Sequence, residues 1–102
     1  MSTRDPSYYL RNYMKVVREV RDIVRKIDPD ARVYVFGSVV RGKFTASSDI
    51  DVMVVTERIE RKYEMMVRVY KATEAPIELH VVTPEGFLWY KKFSGDEIVE
   101  VK

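Results

Sequence analysis

The sequence predicts a small α/β (α+β) domain, a mixed β-sheet with its helices packed on one face. Three observations carry that prediction. Apolar residues recur at spacings of three and four over residues 10–27 and again over 59–70. Short Val- and Ile-rich runs of strand length lie at 32–36, 49–55 and 77–82. Cap, proline and glycine signals separate these runs in the order α, β, short α, β, α, β, α, β.

Each element has its own signal. Asp5 followed by Pro6 reads as an N-cap and first helical residue, and Leu10, Tyr13, Met14, Val17, Val20, Ile23, Val24 and Ile27 form the apolar stripe of one long helix. "DPD" at 28–30 closes it. "RVYVF" is then a strand ending at Gly37, and "DIDVMVV" is a second, with a Gly-Ser turn and one helical turn around Val39 to Arg41 between them. From Glu57 to Thr73 the pattern is helical, with Ile59, Tyr63, Met66, Val67 and Tyr70 as the expected buried stripe. Pro76 opens the strand "IELHVV", Thr83 and Pro84 start a short helix, and "EIVEV" at 97–101 is an expected edge strand.

The 102 residues, taken as one domain spanning 1–102, suffice for a single core. Eighteen Lys and Arg against sixteen Asp and Glu leave a net charge of +2, so direct nucleic-acid binding is not expected. The chain contains no cysteine, which excludes disulfides, thiolate metal sites and a cysteine nucleophile. No apolar run nears the ~18 residues that cross a bilayer, and the expected location is cytoplasmic, with no membrane partner. One Asn, no Gln and a third of the residues charged lean toward a hot-living source.

The second strand enters through two carboxylates, Asp49 and Asp51. On a strand these share one face, while Ile50, Val52 and Val54 take the other. The third strand by the same rule puts Ile77, Leu79 and Val81 toward the core and Glu78 with His80 opposite. Should the two strands be neighbours, Asp49, Asp51 and Glu78 converge on the open face. Mutual repulsion would strain that cluster unless a hard dication sits among the oxygens, which suits Mg²⁺ bound together with substrate phosphates. Upstream, Gly37 permits a tight turn, Ser38 offers a hydroxyl and N–H groups to phosphate, and Arg41 and Lys43 add positive charge. The stretch is no Walker loop, since Gly42-Lys43 is followed by Phe44.

Gly37-Ser38-x-x-Arg41-Gly42-x5-Ser48-Asp49-Ile50-Asp51 resembles the signature of the minimal nucleotidyltransferases, small members of the DNA polymerase β-like superfamily, and the likeness extends over essentially the whole chain. The resemblance implies the nucleotidyltransferase fold and transfer of AMP from ATP to a hydroxyl, using two Mg²⁺ ions. It implies Asp49, Asp51 and Glu78 as catalytic metal ligands, and Gly37, Ser38, Arg41 and Ser48 as nucleotide- and phosphate-binding residues. Glu78 departs from the Asp often found at the third position, which adds one methylene to its reach. The resemblance further implies a helical HEPN-type toxin as partner, in a hetero-oligomer, with this chain as antitoxin acting on a tyrosine hydroxyl. Its alternative is a catalytically idle antitoxin that neutralises its partner by complex formation alone. The nucleotide, the acceptor, the oligomeric state, the role of His80 and that of the Phe87–Phe93 aromatic cluster stay open at this level.

Overall fold

The computed structural model describes residues 5–94 and 97–102. Helices α1 (Pro6–Arg11) and α2 (Tyr13–Ile27) lead into strand β1 (Arg32–Phe36), the short helix α3 (Ser38–Arg41) and strand β2 (Ile50–Val55). A 3-10 turn at Ile59–Arg61, helix α4 (Lys62–Ala72), strand β3 (Ile77–Val82), helix α5 (Pro84–Ser94) and strand β4 (Ile98–Val101) complete the chain. The four strands lie in the order β3-β2-β1-β4. β1 pairs antiparallel with β2 and β4, and β2 pairs parallel with β3 across the α4 crossover. The sheet is therefore mixed, as the sequence predicts.

Asp5 caps α1 as expected, its side chain accepting from the Tyr8 N–H, with Pro6 in the first turn. The single long helix is interrupted, however. Asn12 leaves helical geometry (φ −114°, ψ 33°) while its Nδ2 donates to the Tyr8 carbonyl at 2.8 Å, so the first two turns form a separate helix. Beyond that break Val17, Val20 and Val24 are fully buried, and each contributes about 1.5–3 kcal/mol of hydrophobic stabilisation.

α2 and α4 cover one face of the sheet, packing on Val33, Val35, Ile50, Val52, Val54, Leu79 and Val81. The buried residues of α4 are Met65 and Val69 rather than the expected Tyr63, Val67 and Tyr70, which are 75%, 51% and 46% exposed. The 3-10 turn delays the start of the helix, and with Met65, Met66, Val67, Val69 and Tyr70 crowding both sides the apolar stripe has two readings of similar strength. Tyr70 has a structural use on the rim. Its hydroxyl accepts from the Leu79 N–H at 3.0 Å, on β3, an edge strand of the sheet.

The other face is not open along its whole length. α5 lays Phe87 against Tyr34, Phe36, Met53 and Val55, with the Tyr34 and Phe87 rings stacked at 4.4 Å. This second small core occupies the same face as Asp51 and Glu78, farther along the strands. The aromatic cluster of α5 divides accordingly, since Phe87 is buried while Leu88, Trp89 and Phe93 are each more than 60% exposed.

One buried polar contact fastens the loops at the opposite end of the sheet. Asp28, 3% exposed, accepts from Thr56 Oγ1 at 2.5 Å and from the Asp30 N–H at 3.0 Å, and Arg58 Nε stands 3.7 Å away. Thr56→Val keeps the shape and removes the donor, leaving a buried carboxylate oxygen short of a partner. The expected cost is about 1–3 kcal/mol, read as a lower urea midpoint at unchanged slope.

Candidate functional site

The site begins where β1 ends. Phe36 is the last residue of the strand, and Gly37 turns the chain with φ 86° and ψ −159°, a conformation that side-chain-bearing residues rarely adopt. The turn also needs the empty space of a glycine. A Cβ at position 37 would fall inside contact distance of Asp51 Oδ2 and 3.1 Å from Asp51 Cγ. Asp51 can sit beside the turn because nothing projects from Gly37.

Register then brings the acidic side chains together. Asp51 is opposite Phe36 on β1 and opposite Glu78 on β3, and His80 follows Glu78 on the same face of β3. One ligand atom each from Asp51, Glu78 and His80 lie within 4.8 Å of one another. His80 Nε2 is 3.5 Å from Glu78 Oε1, and the imidazole packs on the Phe36 ring with centroids 5.6 Å apart. Phe36 in turn contacts Tyr90 of α5 at 5.3 Å, so the second core forms a wall beside the carboxylates.

The electrostatics follow from that crowding. Burial first, and then the charge of Glu78, push the Asp51 carboxyl up from its ordinary 3.8 to about 6. His80 acts in the opposite direction, while a hydrogen bond with Glu78 and the charge of Asp49 add to the rise. Two carboxylates and an imidazole converging on one face, with the charge of Glu78 opposing ionisation of Asp51, are a donor set that fits a divalent cation. A cation there would relieve the repulsion that raises Asp51.

The other residues singled out in the sequence are placed as follows. Asp49 stands one position before β2, exposed, and is outside the group whose ligand atoms converge. Ser38 is half-buried at the start of α3, and Arg41 is exposed at its end, where Gly42 adopts a left-handed conformation. Ser48 closes the turn 45–48, its hydroxyl accepting from the Thr45 N–H at 2.9 Å. His80 is the residue that sequence reasoning left undecided and that the geometry brings in. Its signal was already present, because strand alternation gives it the same face as Glu78.

Comparison with known proteins identifies the family. The sequence profile of the family described as "Nucleotidyltransferase domain" matches residues 17–99, most of the chain. The chain belongs to that family. A crystal structure provisionally named a nucleotidyltransferase is 31% identical, with a TM-score of 0.68 over 83% of this chain and 96% of that one. Another, provisionally named a nucleotidyltransferase from Sulfolobus solfataricus, shares the fold at 20% identity, with a TM-score of 0.63 over 95% of this chain and 87% of that one. No curated protein matches at a significant level. In this nucleotidyltransferase domain the match begins within α2 and runs into β4, and so includes the Gly37-Ser38 turn, the Asp51 strand and Glu78. Among the described residues no helix is long and apolar enough to cross a membrane.

Proposed function

We propose that this nucleotidyltransferase domain moves AMP from ATP onto a hydroxyl of a helical HEPN-type protein, a tyrosine hydroxyl, in a Mg²⁺-dependent reaction by which it serves as antitoxin to that partner. The observation that carries the reading is the pairing of Asp51 with Glu78 across the parallel β2–β3 register, beside the Gly37 turn. Asp51 and Glu78, with Asp49 at the mouth of the strand, would hold the cation. When bound, it supplies positive charge against the triphosphate and the charge that builds on the leaving group.

The chain's own residues supply the rest. Gly37 and Ser38 present the turn on which the triphosphate would lie, and Arg41 and Ser48 would flank it. The acceptor oxygen attacks the α-phosphorus, the bond to pyrophosphate breaks, and the hydroxyl proton passes to a carboxylate. Glu78 suits that last role, being the more exposed of the pair, with its side chain 56% accessible. A protein acceptor is favoured by Leu88, Trp89 and Phe93, three large apolar side chains of α5 left exposed. The same surface would also serve the alternative, in which docking alone silences the partner.

Incubation with α-³²P-labelled ATP, Mg²⁺ and the protein encoded beside this one tests the reading. Label on the partner that disappears with Asp51→Asn is the expected result. A folded Asp51→Asn variant that still protects cells from the partner, with no label transferred by the parent protein, would establish the binding alternative instead.

A further inference from the structure

The family reading accounts for carboxylates but not for the imidazole that shares their space. We infer that His80 is a nitrogen ligand of the divalent-cation site, so that the site takes a first-row transition dication, with Mn²⁺ as its representative, more tightly than Mg²⁺. This inference rests on the reading of Asp51 and Glu78 as cation ligands.

Three observations carry it. The first is distance, because donor atoms of Asp51, Glu78 and His80 all fall within 4.8 Å of one another. Ligands on opposite sides of one small dication stand roughly 4.2–4.5 Å apart, so a slight side-chain rotation closes the gap. The second is orientation. Alternation on β3 and the β2–β3 register send all three side chains to one face, and Nε2 of His80 is the nitrogen directed at Glu78, 3.5 Å from Oε1. The third is restraint: the imidazole leans on the Phe36 ring at 5.6 Å, and Phe36 is itself buried and backed by Tyr90. A surface histidine free to rotate would make a poor ligand, whereas a ring held against a wall loses little freedom on binding.

The chemistry of the donor set sets the selectivity. Mg²⁺ binds oxygen and keeps much of its water, gaining little from an imidazole. First-row transition dications gain more from an imidazole than Mg²⁺ does, the later ions most and Mn²⁺ least, and Mn²⁺ shares the preference of Mg²⁺ for carboxylate oxygen, which makes it the strictest test of the nitrogen ligand. One nitrogen among carboxylate oxygens therefore shifts preference away from Mg²⁺ without abolishing its binding.

Because the chain contains a single histidine, the ligand can be identified without mutation. The tag-free full chain is loaded with Mn²⁺, alone and then with a non-hydrolysable ATP analogue, and studied by electron spin-echo envelope modulation. A modulation from directly bound ¹⁴N, replaced by that of ¹⁵N when only histidine is ¹⁵N-labelled, is expected. Calorimetry should give Mn²⁺ binding at least tenfold tighter than Mg²⁺, and His80→Gln should weaken Mn²⁺ by about 10–100-fold while altering Mg²⁺ less than about threefold. Mn²⁺ bound with no histidine modulation overturns the ligand assignment and leaves the carboxylate site standing. Failure of both Mn²⁺ and Mg²⁺ to bind, with or without the nucleotide analogue, overturns the carboxylate site as well.

Discussion

Asp51→Asn is expected to lower the rate of nucleotidyl transfer by about 10³-fold or more and at the same time to raise the melting temperature of the metal-free protein. The first effect follows from the place of Asp51 at the centre of the donor set, between Glu78 and the Gly37 turn. Charge neutralisation by a bound cation is worth several kcal/mol in a transition state, and each 1.4 kcal/mol lost is a tenfold fall in rate. The second effect follows from the cost of keeping that carboxylate ionised in the fold. Burial and Glu78 raise its pKa to about 6, so the folded chain holds the Asp51 proton more tightly than the unfolded chain does.

The sign of the pH dependence is fixed by that ordering. For a raised carboxyl the stabilising contribution is fully present below the unfolded value of 3.8 and is lost as pH rises through about 6. Near pH 7.5 the parent protein without metal therefore carries the whole penalty, on the order of 1 kcal/mol once solvent screening of this half-exposed group is allowed for. Asn has no charge to desolvate and can still hydrogen-bond to Glu78. A gain of about 1 kcal/mol corresponds to roughly 4–8 °C in a domain of this size. Thermal melts of both proteins from pH 4 to 8, with and without Mg²⁺, check the claim. The parent should gain stability from Mg²⁺, increasingly so as pH rises through about 6, and Asp51→Asn should gain little. A variant less stable than its parent at pH 7.5 without metal would contradict the account of Asp51 as a strained carboxylate.

That strain was legible in the sequence, and its partners were legible only in part. Period-two alternation at Asp51 and at Glu78 was enough to place both on one face, and the Gly37-Ser38 turn was visible from residue type alone. What alternation cannot supply is register. The neighbouring of Asp51 and Glu78 depends on β3 pairing parallel with β2, a long-range contact set by the α4 crossover and by burial of Ile77, Leu79 and Val81. The same limit explains α4, where a helix apolar on several sides gave the wrong stripe until its starting turn was known. Asn12 is a third kind of gap. A single polar residue can hydrogen-bond backward to its own backbone and break a helix whose apolar pattern runs on unbroken. Asp28 likewise reads as a loop residue in "DPD", and only the arrival of Thr56 from the end of β2 makes it a buried acceptor.

Gly37→Ala tests whether the turn and the carboxylate are one device. Two costs are expected together. An alanine at φ 86° and ψ −159° occupies a region of backbone space that is close to glycine-only, at about 1–3 kcal/mol. Its Cβ would also displace the Asp51 carboxylate, which must rotate away from the turn and therefore from Glu78. The variant should unfold at a total cost of roughly 3 kcal/mol and, where still folded, should bind Mn²⁺ at least tenfold more weakly. A double-mutant cycle separates the two terms. Asp51→Gly beside Gly37→Ala removes the clash and leaves the backbone cost, so the pair should be less destabilised than the sum of its members, by about 1 kcal/mol or more. Strict additivity would mean that the backbone conformation alone demands glycine. In that event Asp51 owes its position to the strand register, and the turn could be redesigned without disturbing the donor set.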